Sequence, residues 1–503
     1  MNKIQLLYVE NVITRKKREV RQHLAFFIQV ENVGYDKQVD VIWRGEEGAW
    51  ETLPANYHSK LGPHQEYWFA DVECQLTSEK SLPGNIEFAL RYRIPGNEYW
   101  DNNQSQNYSS QADSGIKISD HRQLLNIGFS STMPEGQNYL PVTVAVNRSF
   151  HAEKVTVHWT TDNWRHSRKT ACHFKRNYWD KEFLSNARNP NQYGVELWKG
   201  WLKVSNVFRL QYNISCESKG QILWDNNDGN NYSASRNPIK VLILNLHCYQ
   251  EDEQDYKFNQ IARAINELEI DIVCLQEVAE LWNDGRGDLE TNSAKIIKDR
   301  LDRPFHLYTD WSHLGFDKYR EGVAILSRYP LSRQGSKYVS DSDDIYSIHS
   351  RKVVMAQIKV PHIGLINVFS AHLSWWEDGF AEQFNRLRDW AADEQEQPVK
   401  ATFLCGDFNI AAGSKGYRMV VDANEYEDQF LAANAHGVFE KIFRVNDPYW
   451  QQYLADDYRI DYIFLNKQSD FLVTSGKVLF TEHDYGRVSD HCGYLMTFEP
   501  GIG

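Results

Sequence analysis

Phe403-Leu404-Cys405-Gly406-Asp407-Phe408-Asn409 is an apolar run that stops abruptly on Gly-Asp-Phe-Asn. A run of this kind, closed by turn residues, predicts a buried strand delivering polar side chains to a sheet edge. Gly406 permits a bend or a close approach to a ligand, and Asp407 and Asn409 project to one side of an extended chain. An ordinary strand-to-turn junction would read the same in isolation. Six further runs share the build. Lys240 to Asn245 ends in Asn, Asp271 to Glu277 in Gln-Glu, and Glu321 to Arg328 in Arg. Leu365 to Leu373 carries His372, Tyr458 to Phe464 carries Asp461, and Val488 to Leu495 carries Asp490 and His491. A lone Asp after a strand is ordinarily a helix cap, but seven such ends together point to one site. Helical stripes over Phe258 to Leu268 and over Gln383 to Ala392 alternate with the strands. Carboxylates with Asn and His, and no Cys among them, suit a hard divalent cation, most simply Mg²⁺ and otherwise Mn²⁺.

At 503 residues the chain predicts two to four domains. Its formal charge of −13 argues against a general nucleic-acid binder, which would show a basic face. Seven scattered cysteines, several inside strand-like runs, fit buried reduced thiols better than a disulfide framework. Met1 to Val20 is broken by Glu10 and by Arg15-Lys16-Lys17-Arg18, so no secretory signal is read there, and no run is long enough to span a bilayer. A cytoplasmic protein without membrane contact is the expectation.

Residues 1 to about 235 read as short alternating strands broken by Gly, Pro and Asn, which predicts β-sandwiches. They also repeat. Tyr99-Trp100-Asp101-Asn102-Asn103 to Tyr108 is echoed by Leu223-Trp224-Asp225-Asn226-Asn227 to Tyr232, and Val39 to Trp43 by Val155 to Trp159. Trp and Tyr faces stack on sugar rings, and Asn amides match vicinal hydroxyls. The alternative is an Asn-rich turn with its Trp packed inward. These motifs resemble family-21 starch-binding modules, and Thr160-Thr161-Asp162-Asn163-Trp164 resembles that family's other hallmark. The resemblance implies α-glucan (glycogen or starch) contacts at Trp100, Asn103, Tyr108, Trp164, Trp224, Asn227 and Tyr232. The first copy departs from it, with Arg44 to Trp50 in place of the Asp-Asn-Trp turn. The second carries an insertion from His173 to Gln192, rich in Lys, Arg, Asn and aromatics.

The ordered set of strand ends resembles the endonuclease/exonuclease/phosphatase superfamily, of DNase I-like fold. The expected architecture is two all-β, Ig-like sandwiches (1–115 and 120–236) followed by a four-layer α/β sandwich (239–503). The resemblance implies a metal-dependent phosphoric ester hydrolase. Asn245, Glu277 and Asp490 would hold Mg²⁺, and Asp407 would orient or deprotonate water. Asn409 would contact phosphoryl oxygens, His491 braced by Asp461 would act on the nucleophile or the developing charge, and His372 would bind the phosphate.

Ala371-His372-Leu373-Ser374-Trp375-Trp376 with the Gly379-Phe380 and Gln383-Phe384 continuation resembles the subgroup of maltose 6′-phosphate phosphatases. Trp375 and Trp376 would then wall a sugar subsite; the alternative is that one or both are core residues. Arg351, or its neighbour Lys352, is the candidate cation for a monoester dianion. The expected substrate is a phosphorylated oligosaccharide, most simply maltose 6′-phosphate. A sphingomyelinase- or nuclease-like phosphodiesterase and a non-catalytic glycogen-binding scaffold are the other two readings.

Overall fold

A computed structural model describes residues 3–16, 19–34, 36–177, 194–283, 285–395, 398–435 and 459–501. The chain divides into two compact units, Met1–Asn237 and Pro238–Gly503. Most of the His173 to Gln192 insertion, and Tyr458, lie outside the described residues.

The first unit is built from strands in four sheets. One sheet runs Gly115–Ile118, Ile4–Lys16, Glu19–Glu31, Gln65–Gln75, Asn56–Gly62, and it faces a sheet centred on Gln38–Arg44 and Ile86–Ile94. The repeat brings a second pair, centred on Tyr139–Asn147 with Val195–Lys203 and on Lys154–Thr160 with Arg209–Ser218. The two halves are not separate cores. Leu7, Tyr8, Tyr67, Ile116 and Ile118 of the first pack into one cluster with Phe129, Met133 and Leu140 of the second.

In the second unit, two six-stranded sheets face each other. The first has the order His306–Gly315, Tyr319–Ser327, Ile272–Leu281, Ile239–Asn245, Gly493–Pro500, Phe471–Leu479. The second has the order Leu331–Tyr338, Lys352–Val360, Gly364–His372, Val399–Asp407, Asp461–Asn466, Tyr426–Asp428. Strands here are apolar on both faces because both faces are covered. Val241, Ile243 and Cys274 of the first sheet meet Val368, Phe403 and Cys405 of the second in the central core. The opposite face of the first sheet packs on helix Gln254–Glu267 through Phe258, Ile261 and Ile265. That of the second packs on helix Phe380–Asp393 through Phe384, Leu387 and Trp390. All seven cysteines are free and buried. Among the described residues no helix is long and apolar enough to cross a membrane.

Strand direction decides which residues reach the site. Ile239–Asn245 is parallel to Ile272–Leu281, and Gly364–His372 to Val399–Asp407, so these four deliver their C-terminal ends. Their antiparallel partners deliver N-terminal ends instead. Two buried bonds tie the sheets together at this end: Gln276 Nε2 donates to Ser370 Oγ (3.0 Å), and Asn245 Nδ2 to Asp407 Oδ2 (3.1 Å).

A buried ion pair anchors the segment before Asp461. The Arg459 guanidinium is bidentate on Asp428, which also accepts from the Tyr417 hydroxyl at 2.9 Å. Breaking such a pair from one side leaves an uncompensated charge. Asp428→Ala is therefore expected to lower stability by about 3–5 kcal/mol in denaturant unfolding.

Candidate active site and glucan-contact motifs

The residues read from the strand ends gather at one end of the facing sheets. Asn245 is fully buried, and its amide also donates to Glu277 Oε1 at 2.9 Å. Glu277 sits where the pairing with Tyr319–Ser327 slips, at φ 49°. A bulge of this kind re-aims a side chain. His247 (φ 45°) and Asn409 (φ 52°) are also left-handed. Non-glycine residues in this region cluster where surrounding structure holds them for function.

Asp407 and Asp461 are register partners on adjacent strands. Burial and the charge of Asp461 push the Asp407 pKa up to about 7. His491 Nδ1 donates to Asp461 Oδ2 at 2.8 Å, and its Nε2 lies 3.8 Å from Asp407 Oδ2 and 3.9 Å from Asp490 Oδ1. Burial works against charge on His491, but Asp461, Asp407 and Asp490 outweigh it and hold the pKa well above the usual histidine value. His372 behaves oppositely. Burial, then the charge of Arg351, keeps it neutral. Arg351 Nη1 approaches His372 Nδ1 at 3.2 Å and can only donate. The His372 proton therefore sits on Nε2, 3.7 Å from Asp407 Oδ2. The centre thus holds a carboxyl that titrates near neutrality, an imidazolium and a neutral N–H donor. Together these can take a proton from water, return one, and bind an anionic oxygen.

Asn409 donates its backbone N–H to Asp407 Oδ1 (2.9 Å) and its amide to the Leu373 carbonyl (2.8 Å), which leaves one amide hydrogen for a ligand. Gly406 makes a close approach, but to protein: at φ 133°, a Cβ would lie 2.1 Å from the Ala371 carbonyl oxygen. Gln383 explains the continuation after the tryptophans. Its amide accepts from Ser374 N (2.9 Å) and donates to Ser374 Oγ (3.0 Å), which in turn receives Arg351 Nε (3.4 Å).

Two expectations change. Arg328 lies at the far end of its antiparallel strand, paired with Asp271 at 3.3 Å. Trp376 packs on Phe380 against the core beside the second sheet and lies under Lys415 Nζ, 4.6 Å from the ring centre, which is the core alternative for this residue; Trp375 is half-buried. Lys352 points away from the site and pairs with Asp310 at 3.1 Å, while Arg351 points in.

Four site neighbours escaped the sequence reading. His247 contacts Glu251 (2.7 Å) and Asp490 (3.6 Å). Their spacing of four, just after an apolar strand, was the available signal. His313 and Glu321 are cross-strand partners 3.5 Å apart. Burial and Arg351 push the His313 pKa down to about 4, whereas burial and Glu277 push that of Glu321 up to about 7, so this is a contact between largely neutral groups. A histidine depressed in the fold contributes stability above its unfolded pKa of about 6.5, and loses it as pH falls through about 4. Because Glu321 and Asp407, raised to about 7, titrate with the opposite sign over the same range, the His313 contribution of about 3 kcal/mol is expected as the difference between wild type and His313→Gln in thermal unfolding followed against pH.

The donors fit a hard divalent ion. Asn245, Glu277 and Asp490 offer oxygen atoms; the donors that lie close together are His247, Glu251 and Asp490 in one group and Asp407, Asp461 and His491 in another, and Asp461 Oδ1 is buried with no hydrogen bond among the described residues.

In the first unit, the repeated motif is largely a frame. Tyr108 and Tyr232 are buried, and each hydroxyl donates to both oxygens of Asp101 or Asp225 (2.8–3.0 Å). Each Asp also accepts from the backbone of its half's first strand, at Leu6 N and Asn126 N. Asn103 and Asn227 stand at φ 51° and bond the carbonyls of Asn107 and Asn231, which explains Asn at these positions. Asn227 also donates to the Leu61 carbonyl of the first half. The expectation that Tyr108, Tyr232 and Asn227, all buried, face a glucan therefore gives way to a structural role; Asn103 is half-buried. Trp100 and Trp224 remain exposed, at 47% and 54%, and Trp164 is half-buried at φ 66°.

Comparison with known proteins agrees with both halves. Carbohydrate/starch-binding module (family 21) matches residues 2–111 and 123–235. An 86-residue stretch is 35% identical to Glucoamylase 1 of Rhizopus oryzae, covering 16% of this chain and 13% of that protein. Protein phosphatase 1 regulatory subunit 3E of Mus musculus is 33% identical over 81 residues, 16% of this chain and 28% of that protein. Among solved structures, an endonuclease/exonuclease/phosphatase family protein from Leptotrichia buccalis is 26% identical with TM-score 0.43, covering 52% of this chain and 99% of that one. Mannosyl-6-phosphatase Bt3783 of Bacteroides thetaiotaomicron is 18% identical with TM-score 0.40, covering 52% and 99%. The family match that spans the site covers residues 210–491, beginning inside the preceding β unit, although the compact unit starts at Pro238. With more than half its length matched, the chain belongs to the Endonuclease/Exonuclease/phosphatase family.

Proposed function

We propose that this chain is a Mg²⁺-dependent phosphomonoesterase that releases inorganic phosphate from a phosphorylated α-glucan sugar, most simply maltose 6′-phosphate, in the cytoplasm. The observation that carries the reading is Arg351. A monoester dianion brings more charge than a diester and calls for a fixed cation besides the metal. Arg351 supplies one, bonded to His372 and within the fields of Glu321, Asp407 and Glu277.

In this reading Asn245, Glu277 and Asp490 hold the ion, which when bound polarises a phosphoryl oxygen and eases departure of the sugar alkoxide. Asp407 orients water and accepts its proton. Asp461 keeps His491 charged toward the reacting phosphate, while His372 Nε2–H and Asn409 donate to phosphoryl oxygens. Trp375 lines the sugar. Starch-binding-type frames on the same chain support a glucan-derived substrate. The facing sheets and outer helices support a four-layer α/β sandwich, and the paired β sheets support Ig-like sandwiches before it.

The test is phosphate release from maltose 6′-phosphate, glucose 6-phosphate and trehalose 6-phosphate, with Mg²⁺ and after EDTA. The highest kcat/KM is expected on maltose 6′-phosphate, abolished by EDTA. Equal turnover of all three sugars, or turnover indifferent to EDTA, would count against it.

A further inference from the structure

Glu321 faces the site without a task in the reaction proposed above. Its strand, Tyr319–Ser327, starts at the site end, and the residue pairs with Ala279, two positions past Glu277, on one side and with His313 on the other. The basic nitrogen nearest its carboxyl is His313 Nε2, 3.5 Å from Oε1, and burial holds His313 neutral. Gly315 keeps room for the other oxygen, since a Cβ there would lie 3.0 Å from Oε2. Among the described residues nothing donates a hydrogen bond to this carboxyl, on which burial and the charges of Glu277, Arg351 and His247 act. Arg351 in turn feels Glu321 ahead of Asp407 and Glu277, yet among the described residues no ion pair joins the two. Its Nε and Nη1 go to Ser374 Oγ (3.4 Å) and His372 Nδ1 (3.2 Å), and its Nη2 donates to no described residue.

We infer that Glu321 sets specificity in the proposed reaction by accepting hydrogen bonds from hydroxyls of the sugar whose phosphate Arg351 holds. This rests on the proposal that the chain hydrolyses a sugar phosphate. A cation and a carboxyl that face each other without touching fit a ligand that brings both an anion and a hydroxyl donor. A sugar phosphate carries the two within one ring. Its phosphate takes the free Nη2–H of Arg351, and the ionised carboxyl, an acceptor at both oxygens, takes hydroxyl protons. A phosphate ester without hydroxyls leaves Glu321 buried and unsatisfied beside an added anion, and both effects weaken its binding. A site built around a substrate hydroxyl rejects analogues that lack it for this reason. Among the described residues Glu321 belongs to neither close group of metal-type donors, which favours a substrate contact over a metal contact.

The experiment compares wild type and Glu321→Gln, as full chains, on maltose 6′-phosphate and on phenyl phosphate, a monoester of the same charge with no hydroxyl. Each substrate is read as kcat/KM, or as Ki where phenyl phosphate only competes. Glutamine keeps the size of the side chain and removes its charge and one acceptor. The loss on maltose 6′-phosphate is expected to exceed that on phenyl phosphate by roughly 10–100-fold, with Mg²⁺ affinity in a calorimetric titration retained. The phenyl phosphate arm reports on the fold of the same preparation. Equal losses on the two compounds would overturn the inference, as would a fall in Mg²⁺ affinity, which would assign Glu321 to the metal. In both of those cases a wild type that turns over maltose 6′-phosphate leaves the proposed reaction standing. A wild type that leaves maltose 6′-phosphate untouched would remove the proposed reaction, and the inference with it.

Discussion

Replacing Arg351 by methionine is expected to cut phosphate release from a sugar monoester roughly 10²–10³-fold, while turnover of a small diester falls much less. The side chain does two things at once. Its Nη1 donates to His372 Nδ1 and fixes the imidazole proton on Nε2, and in the proposed reaction its charge meets the dianionic phosphate. Loss of the charge acts on the monoester in particular, whereas loss of the tautomer acts on both substrates. Lysine does not substitute, because a point charge cannot bond His372 and Ser374 together from one planar fork. The measurement is kcat/KM for wild type, Arg351→Met and Arg351→Lys on both substrate types. Equal losses on monoester and diester would remove the role assigned to the charge.

Gly406→Ala is expected to cost both stability and activity. The backbone at φ 133° is costly for any side chain, and the added carbon would meet the Ala371 carbonyl at 2.1 Å and Gln276 Nε2 at 2.9 Å. The first of these is backbone in the adjoining parallel strand, so relief requires the two strands to separate next to Asp407. A loss of ~3 kcal/mol or more follows from forced overpacking of this kind. Thermal unfolding and phosphate release of the same preparation check it. A variant with wild-type stability and turnover would show that the strands tolerate the carbon.

Much of the site was legible because parallel strands in a covered sheet announce themselves as continuous apolar runs, and the polar residue that stops each run marks its end. Asn245, Glu277, His372 and Asp407 were found in this way. Antiparallel partners were harder, since a single run does not reveal its direction. Glu321 to Arg328 was read toward its arginine, yet the site lies at its start, where Glu321 faces His313. His313 carries no such signal, because its strand is half-buried for most of its length and only its last turns enter the core. In the first unit the Asn and Tyr of the repeat were legible as a motif but not as a frame. Only the hydrogen bonds of the tyrosines to Asp101 and Asp225, and of the asparagines to the carbonyls of Asn107 and Asn231, show the frame.

The most direct measurement is phosphate release by the full chain, with Mg²⁺, from maltose 6′-phosphate and from a generic phosphodiester in parallel, with Asp407→Asn as the comparison. Turnover of the sugar monoester and little of the diester are expected, with a fall of roughly 10²–10³-fold or more in Asp407→Asn. Turnover of the diester with the sugar phosphate untouched, or an Asp407→Asn enzyme as active as the wild type, would contradict the proposed reaction.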